Sequence, residues 1–320
     1  MAGKKQNGVH KGNIYLRLYL LFSHLMKRKL LFIINPKAGK KLGPSLLPLI
    51  AHKLKGKLDY EVILWENVND FNLIAAKLFA ENYTDAIAVG GDGTVNMVAR
   101  TILGKNITLG IIPAGSGNGL ARSLGLPMKT EWALDKIIEG NTNIIDSGEV
   151  NGTAFFCTSG VGFDAHIGNL FATNIKRGLK SYIKITWQEF FSYRPKTYKI
   201  KYNNIEIERK AFLITVGNAG QYGNDFYIAP GAKMNDGLFH VSILKPFKFY
   251  EVIGLLIKIL RKKADSSKLI EAFSCSELII TRAESDMVHF DGEPKQEGTV
   301  LKFTLKEKSL RVITGDKYIN

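Results

Sequence analysis

The sequence predicts an α/β N-terminal domain built on a parallel sheet, followed by a C-terminal antiparallel β-sandwich domain with helical insertions. Three observations carry that prediction. Continuous apolar runs alternate with helix-like segments from Leu30 to about residue 148, and short strand-like runs replace them afterwards. Three glycine-rich turns, Asn35–Gly39, Gly90–Thr94 and Pro113–Asn118, each lie just after an apolar run. Strands buried on both faces read as near-continuous hydrophobic runs, and strand–helix alternation argues for a parallel sheet. Ligands in such sheets bind beyond the carboxyl ends of the strands, so the three turns are expected to converge on one edge.

Taken in order, residues 1–12 are polar and read as disordered, and Ile14 to Met26 reads as a helix that is apolar on more than one side and interrupted by Arg17. Leu30-Leu31-Phe32-Ile33-Ile34 is the first strand, followed by a helix around residues 44–56. Tyr60 to Trp65 is the second strand and Phe71 to Glu81 the second helix. Asp85-Ala86-Ile87-Ala88-Val89 is the third strand, and the glycine turn after it leads into a helix over residues 94–103. Ile107 to Ile112 is the fourth strand. Later strands are expected at Thr153–Thr158, Tyr198–Tyr202, Glu206–Glu208, Ala211–Gly217, Leu238–Leu244, Glu277–Thr281, Met287–Phe290, Val300–Leu305 and Leu310–Thr314. Helical insertions fall near residues 168–192 and 247–264. This spacing suggests an antiparallel sandwich or barrel.

A chain of 320 residues suits two domains, and its apolar content is ordinary for a globular protein. Cys157 and Cys275 show no metal or redox spacing and read as buried, reduced thiols of a cytosolic protein. No run of about 18 uninterrupted apolar residues occurs, so a spanning helix is not expected. The net charge of +15 is unevenly placed. Residues 1–29 carry seven Lys/Arg and no acid, residues 171–201 eight Lys/Arg and one Glu, and residues 245–268 seven Lys/Arg and two acids. The rest of the chain is left at about −4. Each basic segment also holds bulky apolar residues, among them Leu20 and Phe22, then Trp187 and Phe191, then Phe249 and Leu256. Basic and apolar residues on one helix suit an anionic membrane surface, and a peripheral membrane contact is expected rather than nucleic acid. Solvated helices packed on a core are the plainer alternative.

The chemistry-bearing segment is Gly90-Gly91-Asp92-Gly93-Thr94-Val95-Asn96. Glycines let backbone approach a ligand, and a helix start offers free N–H groups to an anion. An acid inside an anion-binding turn repels phosphate unless a cation lies between them, so Asp92 suggests Mg²⁺. Asn35-Pro36-Lys37-Ala38-Gly39-Lys40-Lys41 adds lysines beyond a strand, and Gly115-Ser116-Gly117-Asn118 adds N–H groups and a hydroxyl. No G-x-x-x-x-G-K-[ST] sequence occurs, which excludes an ordinary P-loop, and dinucleotide oxidoreduction is disfavoured. Asp291-Gly292-Glu293 follows a strand and places two carboxylates around a glycine. One could accept a proton from a substrate hydroxyl while the other orients it or contacts metal, although Asp-Gly is also a favoured hairpin turn. Asn235-Asp236-Gly237 is a second turn with a carboxylate suited to metal. His240 and His289 lie on apolar strands and read as packing residues.

Together these pieces resemble the catalytic family of soluble diacylglycerol kinases, sphingosine kinases and related bacterial lipid kinases. The resemblance runs from Leu30 to about Thr314. It rests on Asn35–Gly39, Gly90–Thr94, Pro113–Asn118, Gly162-Phe163-Asp164-Ala165, Gly217-Asn218, Ala229-Pro230, Asp236-Gly237-Leu238 and Asp291-Gly292-Glu293. The glycine–aspartate turn alone would also fit NAD kinases and phosphofructokinases, and the implied N-terminal fold is of that type. The resemblance implies a nucleotide domain over 30–148 and a β-rich lipid-substrate domain over 149–314, with a basic, partly apolar extension over residues 1–29 outside the family pattern and a tail over 315–320. It implies ATP on Asn35, Pro36, Lys37, Ala38 and Gly39, on Gly91, Asp92, Gly93, Thr94, Val95, Asn96 and Met97, and on Ser116. Glu293 would be the proton acceptor, with Asp291 beside it and Asp92 near Mg²⁺; a further Mg²⁺ would take Asp236 with backbone carbonyls near Lys233 and Leu238. Met97 stands where the family usually has Glu, and Trp65 or Glu66 where a Thr is common.

The expected function is ATP-dependent phosphorylation of a primary hydroxyl on a membrane lipid, with diacylglycerol first and a sphingoid base or ceramide-type lipid next. The expected location is the cytoplasm, at the membrane periphery, and a homodimer is compatible with the sequence. A soluble-substrate kinase of the NAD kinase type and a lipid-binding regulator weakened in catalysis are the rival readings, the second supported by Met97.

Overall fold

The computed structural model describes residues 28–36, 46–65, 70–173, 179–224 and 226–318. The helix expected between Ile14 and Met26 lies outside them. Strands β1 (Lys29–Ile34), β2 (Asp59–Leu64), β3 (Asp85–Gly90) and β4 (Thr108–Pro113) are parallel, in the order β2-β1-β3-β4. β3 and β4 are buried throughout, with apolar runs over Ala86–Val89 and Ile111–Ile112 and with Asp85 paired to buried Arg28 at 2.6 Å. Helix α1 (Leu46–Leu54) turns Leu46, Ile50 and Leu54 into the core at four-residue spacing. Helices α2 (Asp70–Ala80), α3 (Asp92–Ile102), α4 (Gly119–Ser123) and α5 (Thr130–Glu139) complete this half. The strand order makes β1 and β3 neighbours whose chains leave in opposite directions. An open α/β sheet leaves a crevice at such a switch point, beyond the carboxyl ends of its strands. Two of the three glycine turns begin there.

The second half holds an antiparallel sheet in the order β12-β11-β10-β7-β14-β15. Its strands are β7 (Thr158–Gly162), β10 (Leu213–Gly217), β11 (Phe239–Leu244), β12 (Ile270–Cys275), β14 (Asp286–Phe290) and β15 (Glu293–Glu297). The first sheet does not stop at β4. It continues through β16 (Val300–Ile313) to β13 (Glu277–Arg282), β8 (Lys196–Tyr202) and β9 (Ile205–Ala211). Strand β5 (Thr142–Val150) pairs along β16 and with the short β6 (Thr153–Phe155). An aromatic core fills the second half, where Phe155 stacks on Phe239 at 5.7 Å and meets Phe303 edge-on at 6.5 Å. A third core lies with helices α6 (Phe163–Thr173), α7 (Leu179–Phe190) and α8 (Val252–Leu260).

Several elements differ from the expectation. Helix α3 starts at Asp92 rather than 94, because Gly91 takes an extended N-cap conformation and an acid suits the positive end of a helix. Thr153–Thr158 divides into β6 and the start of β7, and Ala211–Gly217 into the end of β9 and β10. Val300–Leu305 and Leu310–Thr314 belong to one strand, with an irregularity between Lys306 and Leu310. Between those two stretches Lys308 is left-handed at φ 48°. The Lys308 N–H donates to Asp146 Oδ1 at 2.7 Å, so the bulge is satisfied and pairing resumes beyond it. The strand then runs parallel to β4 through Arg311 and Val312, returning the end of the chain to the first half. Both cysteines are buried free thiols, and burial pushes Cys275 up to about 12.

Candidate active site

At the end of β1, the Asn35 N–H donates to the Val89 carbonyl at 3.1 Å and its side-chain amide to Thr94 Oγ1 at 3.2 Å. Asn35 thus spans the crevice between β1 and β3. Pro36 follows in a turn; Lys37, Ala38 and Gly39 lie outside the described residues, as do Lys40 and Lys41. After β3, Gly91 caps α3 and Asp92, Gly93, Thr94, Val95, Asn96 and Met97 form its first turns. The third turn packs directly on the second: a Cβ on Gly115 would lie 2.6 Å from the Gly91 Cα. Only glycine permits two backbones to meet this closely. Ser116 is exposed beside this contact.

Asp92 is the link between these turns. Its Oδ1 accepts the Gly119 N–H at 2.7 Å and its Oδ2 the Asn118 N–H at 2.9 Å. Burial raises its carboxyl above the usual aspartate range despite those amides. A carboxylate has about four acceptor positions. One amide on each oxygen therefore leaves Asp92 room to face a cation.

Asp291 and Glu293 play different structural parts. Asp291 and Gly292 have φ 52° and 87°, the two left-handed residues of a tight hairpin joining β14 to β15. Asp291 Oδ1 accepts the N–H groups of Cys157 at 2.7 Å and Thr158 at 2.9 Å, and Oδ2 that of Phe156 at 2.8 Å. The segment it grips is held in turn by Asn218, whose buried side-chain amide donates to Phe156 O at 2.8 Å and Asp146 O at 2.9 Å. Burial raises the Asp291 carboxyl, with the three amides opposing. Its side chain is committed to holding the hairpin.

Glu293, two residues on, is about half exposed and reaches the first half: a Cβ on Gly93 would lie 2.8 Å from its Oε1. Burial raises its carboxyl, Arg100 lowers it, and Asp291 and Asp92 raise it further. Arg100 Nη1 lies 3.6 Å from Glu293 Oε2, and its Nε–H donates to Ala154 O at 3.0 Å. One side chain of α3 therefore ties β6 and the start of β15 to the glycine-turn helix. Arg100 was missed in the sequence, yet a signal existed: Asp92, Asn96 and Arg100 recur at four-residue spacing on one helical face.

Behind the hairpin lies a buried polar cluster. Asp164 Oδ2 accepts from Tyr222 Oη at 2.6 Å and lies 3.1 Å from His289 Nε2, while Thr215 hydrogen-bonds the same tyrosine hydroxyl. His289 is thus a packing residue in a polar setting. The Tyr222 loop also touches the end of the third glycine turn, since a Cβ on Gly119 would lie 3.1 Å from Tyr222 O.

Asp236, Lys233 and Leu238 belong to a separate constellation. The Leu238 N–H donates to Asp236 Oδ1 at 3.1 Å, and the Gly237 N–H to Asp146 Oδ2 at 2.9 Å. Glu307 lies against Gly237. Among the described residues no three His, Cys, Asp or Glu side chains converge on a metal position. The donors that fit a cation are therefore single carboxylates completed by other oxygens, as Mg²⁺ accepts when phosphates and waters fill its remaining positions. Asp92 fits that description beside the glycine turns.

The chain is similar to known proteins over both halves. Residues 29–150 match the diacylglycerol kinase catalytic domain, and residues 158–314 the YegS C-terminal NAD kinase beta sandwich-like domain. The chain is 30% identical over 287 residues to a probable lipid kinase YegS-like of Klebsiella pneumoniae, covering 88% of this chain and 94% of that one. It is 29% identical over 232 residues to a diacylglycerol kinase of Staphylococcus saprophyticus, covering 71% and 76%. A crystal structure of a diacylglycerol kinase from Bacillus anthracis superposes with TM-score 0.70 at 23% identity, covering 91% and 98%, a likeness of fold.

Proposed function

Because the chain belongs to the family of diacylglycerol kinases and YegS-like lipid kinases, we propose that it transfers the γ-phosphate of ATP to a primary hydroxyl of a membrane lipid, with diacylglycerol the first candidate acceptor. The observation that carries this reading is the meeting of Glu293 with Gly93, which sets a carboxylate from the second half against the glycine turn of the first. Phosphoryl transfer depends chiefly on positioning and charge neutralisation. The triphosphate is assigned to the crevice bounded by Asn35, the start of α3 and Ser116, with Lys37, Ala38 and Gly39 retained from the sequence. Asp92 would hold Mg²⁺, which supplies neutralisation of the phosphate charge. Asp236, with carbonyls near Lys233 and Leu238, is kept as the proposed second cation position.

Glu293 accepts the acceptor hydroxyl's proton as the oxygen attacks the γ-phosphorus, and the bond from that phosphorus to the β,γ-bridging oxygen breaks to release ADP. Asp291 holds the hairpin that sets Glu293 in place, and Arg100 steadies its carboxylate. Met97 lies partly buried against the first core, so this reading asks no acid or base chemistry of it. We place the enzyme at the membrane periphery; no helix among the described residues is long and apolar enough to cross a membrane.

The test is incubation with γ-labelled ATP, Mg²⁺ and diacylglycerol in phosphatidylglycerol-containing vesicles. Labelled phosphatidic acid is expected. Label appearing only on a sphingoid base or ceramide would move the acceptor assignment, and no labelled lipid of any kind would remove the proposal. The charge arrangement gives a second prediction. A general base works ionised, so a raised Glu293 carboxyl puts the acidic limb of the kcat/KM profile above the ordinary glutamate value. Arg100→Gln removes the cation that lowers this carboxyl, so the limb should move to still higher pH. An unmoved limb would separate Arg100 from the base.

A further inference from the structure

Helix α8 is apolar on its outward side as well as its inward one. Ile253, Leu256, Ile257 and Leu260, at spacings of three and four, are exposed by 70, 41, 45 and 61%. The opposite side, Leu255 and Ile259, is buried in the third core. A surface helix ordinarily has an apolar stripe inward and a polar face outward, and α8 lacks the polar outward face. The 3₁₀ turn leading into it, Phe249–Glu251, exposes Phe249 and Tyr250 as well. From another part of the chain, the end of α7 brings Trp187 and Phe191 to the same place. Phe191 and Trp187 lie 5.3 and 6.5 Å from the Phe249 ring and 5.5 Å from each other. Two distant segments thus pool their exposed rings and aliphatics into one apolar face. Apolar patches of this kind mark contact surfaces.

We propose that this face, formed by the end of α7, the 249–251 turn and α8, is the surface by which the protein docks onto one leaflet of a bilayer containing anionic lipid. Charge selects a bilayer over a second copy of the chain. Residues 245–268 carry seven Lys/Arg and two acids. Both acids are engaged: Glu251 accepts the Lys248 N–H at 2.7 Å, and Asp265 lies 3.0 Å from His240. Arg261, Lys262 and Lys263 follow α8 directly and are exposed. A copy of the same face would bring like charge against like. An anionic leaflet pairs with it, and each cation near such a surface strengthens binding about fivefold. The face is also continuous with the packing behind the Asp291–Glu293 hairpin. Phe190, beside Phe191, packs on Phe163 at 6.0 Å and Phe212 at 5.7 Å. Phe163 directly precedes Asp164, in the cluster that backs the Asp291–Glu293 hairpin.

This inference deepens the lipid-kinase reading and rests on it only for the purpose of the contact, so the two are separated in the test. Binding of the full chain to vesicles of phosphatidylcholine, with and without phosphatidylglycerol, is measured by co-sedimentation and by the change in tryptophan fluorescence that Trp187→Phe abolishes. Phosphoryl transfer is measured separately with dioctanoylglycerol below its aggregation limit. The double substitution Ile253→Asp, Leu260→Asp should weaken vesicle binding about a hundredfold. Transfer to the dispersed acceptor should be unchanged, which also shows that the variant folds. Arg261→Glu with Lys263→Glu should reduce only the gain from phosphatidylglycerol. Vesicle binding that survives the aspartates would overturn the proposal, as would a wild-type dimer that the same variant dissolves without affecting vesicle binding. Absence of transfer to dispersed acceptor by the wild-type chain would count against the kinase reading while leaving the binding measurement intact.

Discussion

Glu293→Gln should lower kcat for phosphoryl transfer by about a hundredfold to ten-thousandfold, the range that a positioned general base contributes. Glutamine keeps the size and reach of the side chain, so the close fit against Gly93 survives and no new clash arises. What is lost is the ability to take a proton. A lipid hydroxyl attacks phosphorus poorly while protonated, so the loss should appear in kcat rather than in nucleotide affinity. The close fit against the α3 backbone at Gly93 is kept and Asn35 and Asp92 are unchanged, so ATP titration should give an unchanged Kd. Single-turnover transfer from labelled ATP reads the chemical step directly. A variant retaining activity within tenfold of wild type would show that another group takes the proton.

Asp291→Asn should have the second large effect, on stability as well as turnover. The carboxylate accepts three backbone N–H groups, one on Oδ2 and two on Oδ1. With the amide oxygen kept toward Cys157 and Thr158, the new NH₂ faces the Phe156 N–H, donor against donor. The opposite flip leaves two amides unmatched. A buried polar group without a partner costs about 1–3 kcal/mol, and more when the lost partner was charged. The total expected loss is about 2–4 kcal/mol, read from urea unfolding. Activity should fall with it, because the hairpin that carries Glu293 is fastened only two residues away. Asp291→Asn should therefore lower both measurements, whereas Glu293→Gln should lower activity alone.

Local pattern made the first half legible. The apolar runs at Leu30–Ile34 and Asp85–Val89 are strands because helices cover both faces of the sheet, and that condition is written in consecutive residues. The second half was legible where alternation or turn chemistry was strong, as at Tyr198–Tyr202 and Asp291-Gly292. It was illegible where a strand exists only through its partner. β15, with the sequence Glu-Pro-Lys-Gln-Glu, has no apolar pattern and is a strand because the hairpin returns it along β14. β5 and β12 escaped notice for related reasons, since polar residues such as Asp146 and Glu271 interrupt their apolar positions. The single strand Val300–Ile313 read as two because the cap on its bulge, Asp146, lies far away in sequence.

The sequence by itself determined the strand–helix alternation, the glycine turns and the two late acids around Gly292, since each is a property of neighbouring residues. Only the tertiary structure decided how those acids divide their work, with Asp291 bound to three amides and Glu293 reaching Gly93. It alone decided that Arg100 faces Glu293 and that Trp187 and Phe249 share one exposed face. The physical reason is the range of the interactions. Backbone conformation and apolar periodicity act over a few residues, whereas hydrogen-bond saturation, charge pairing and exposure depend on groups that only folding brings together.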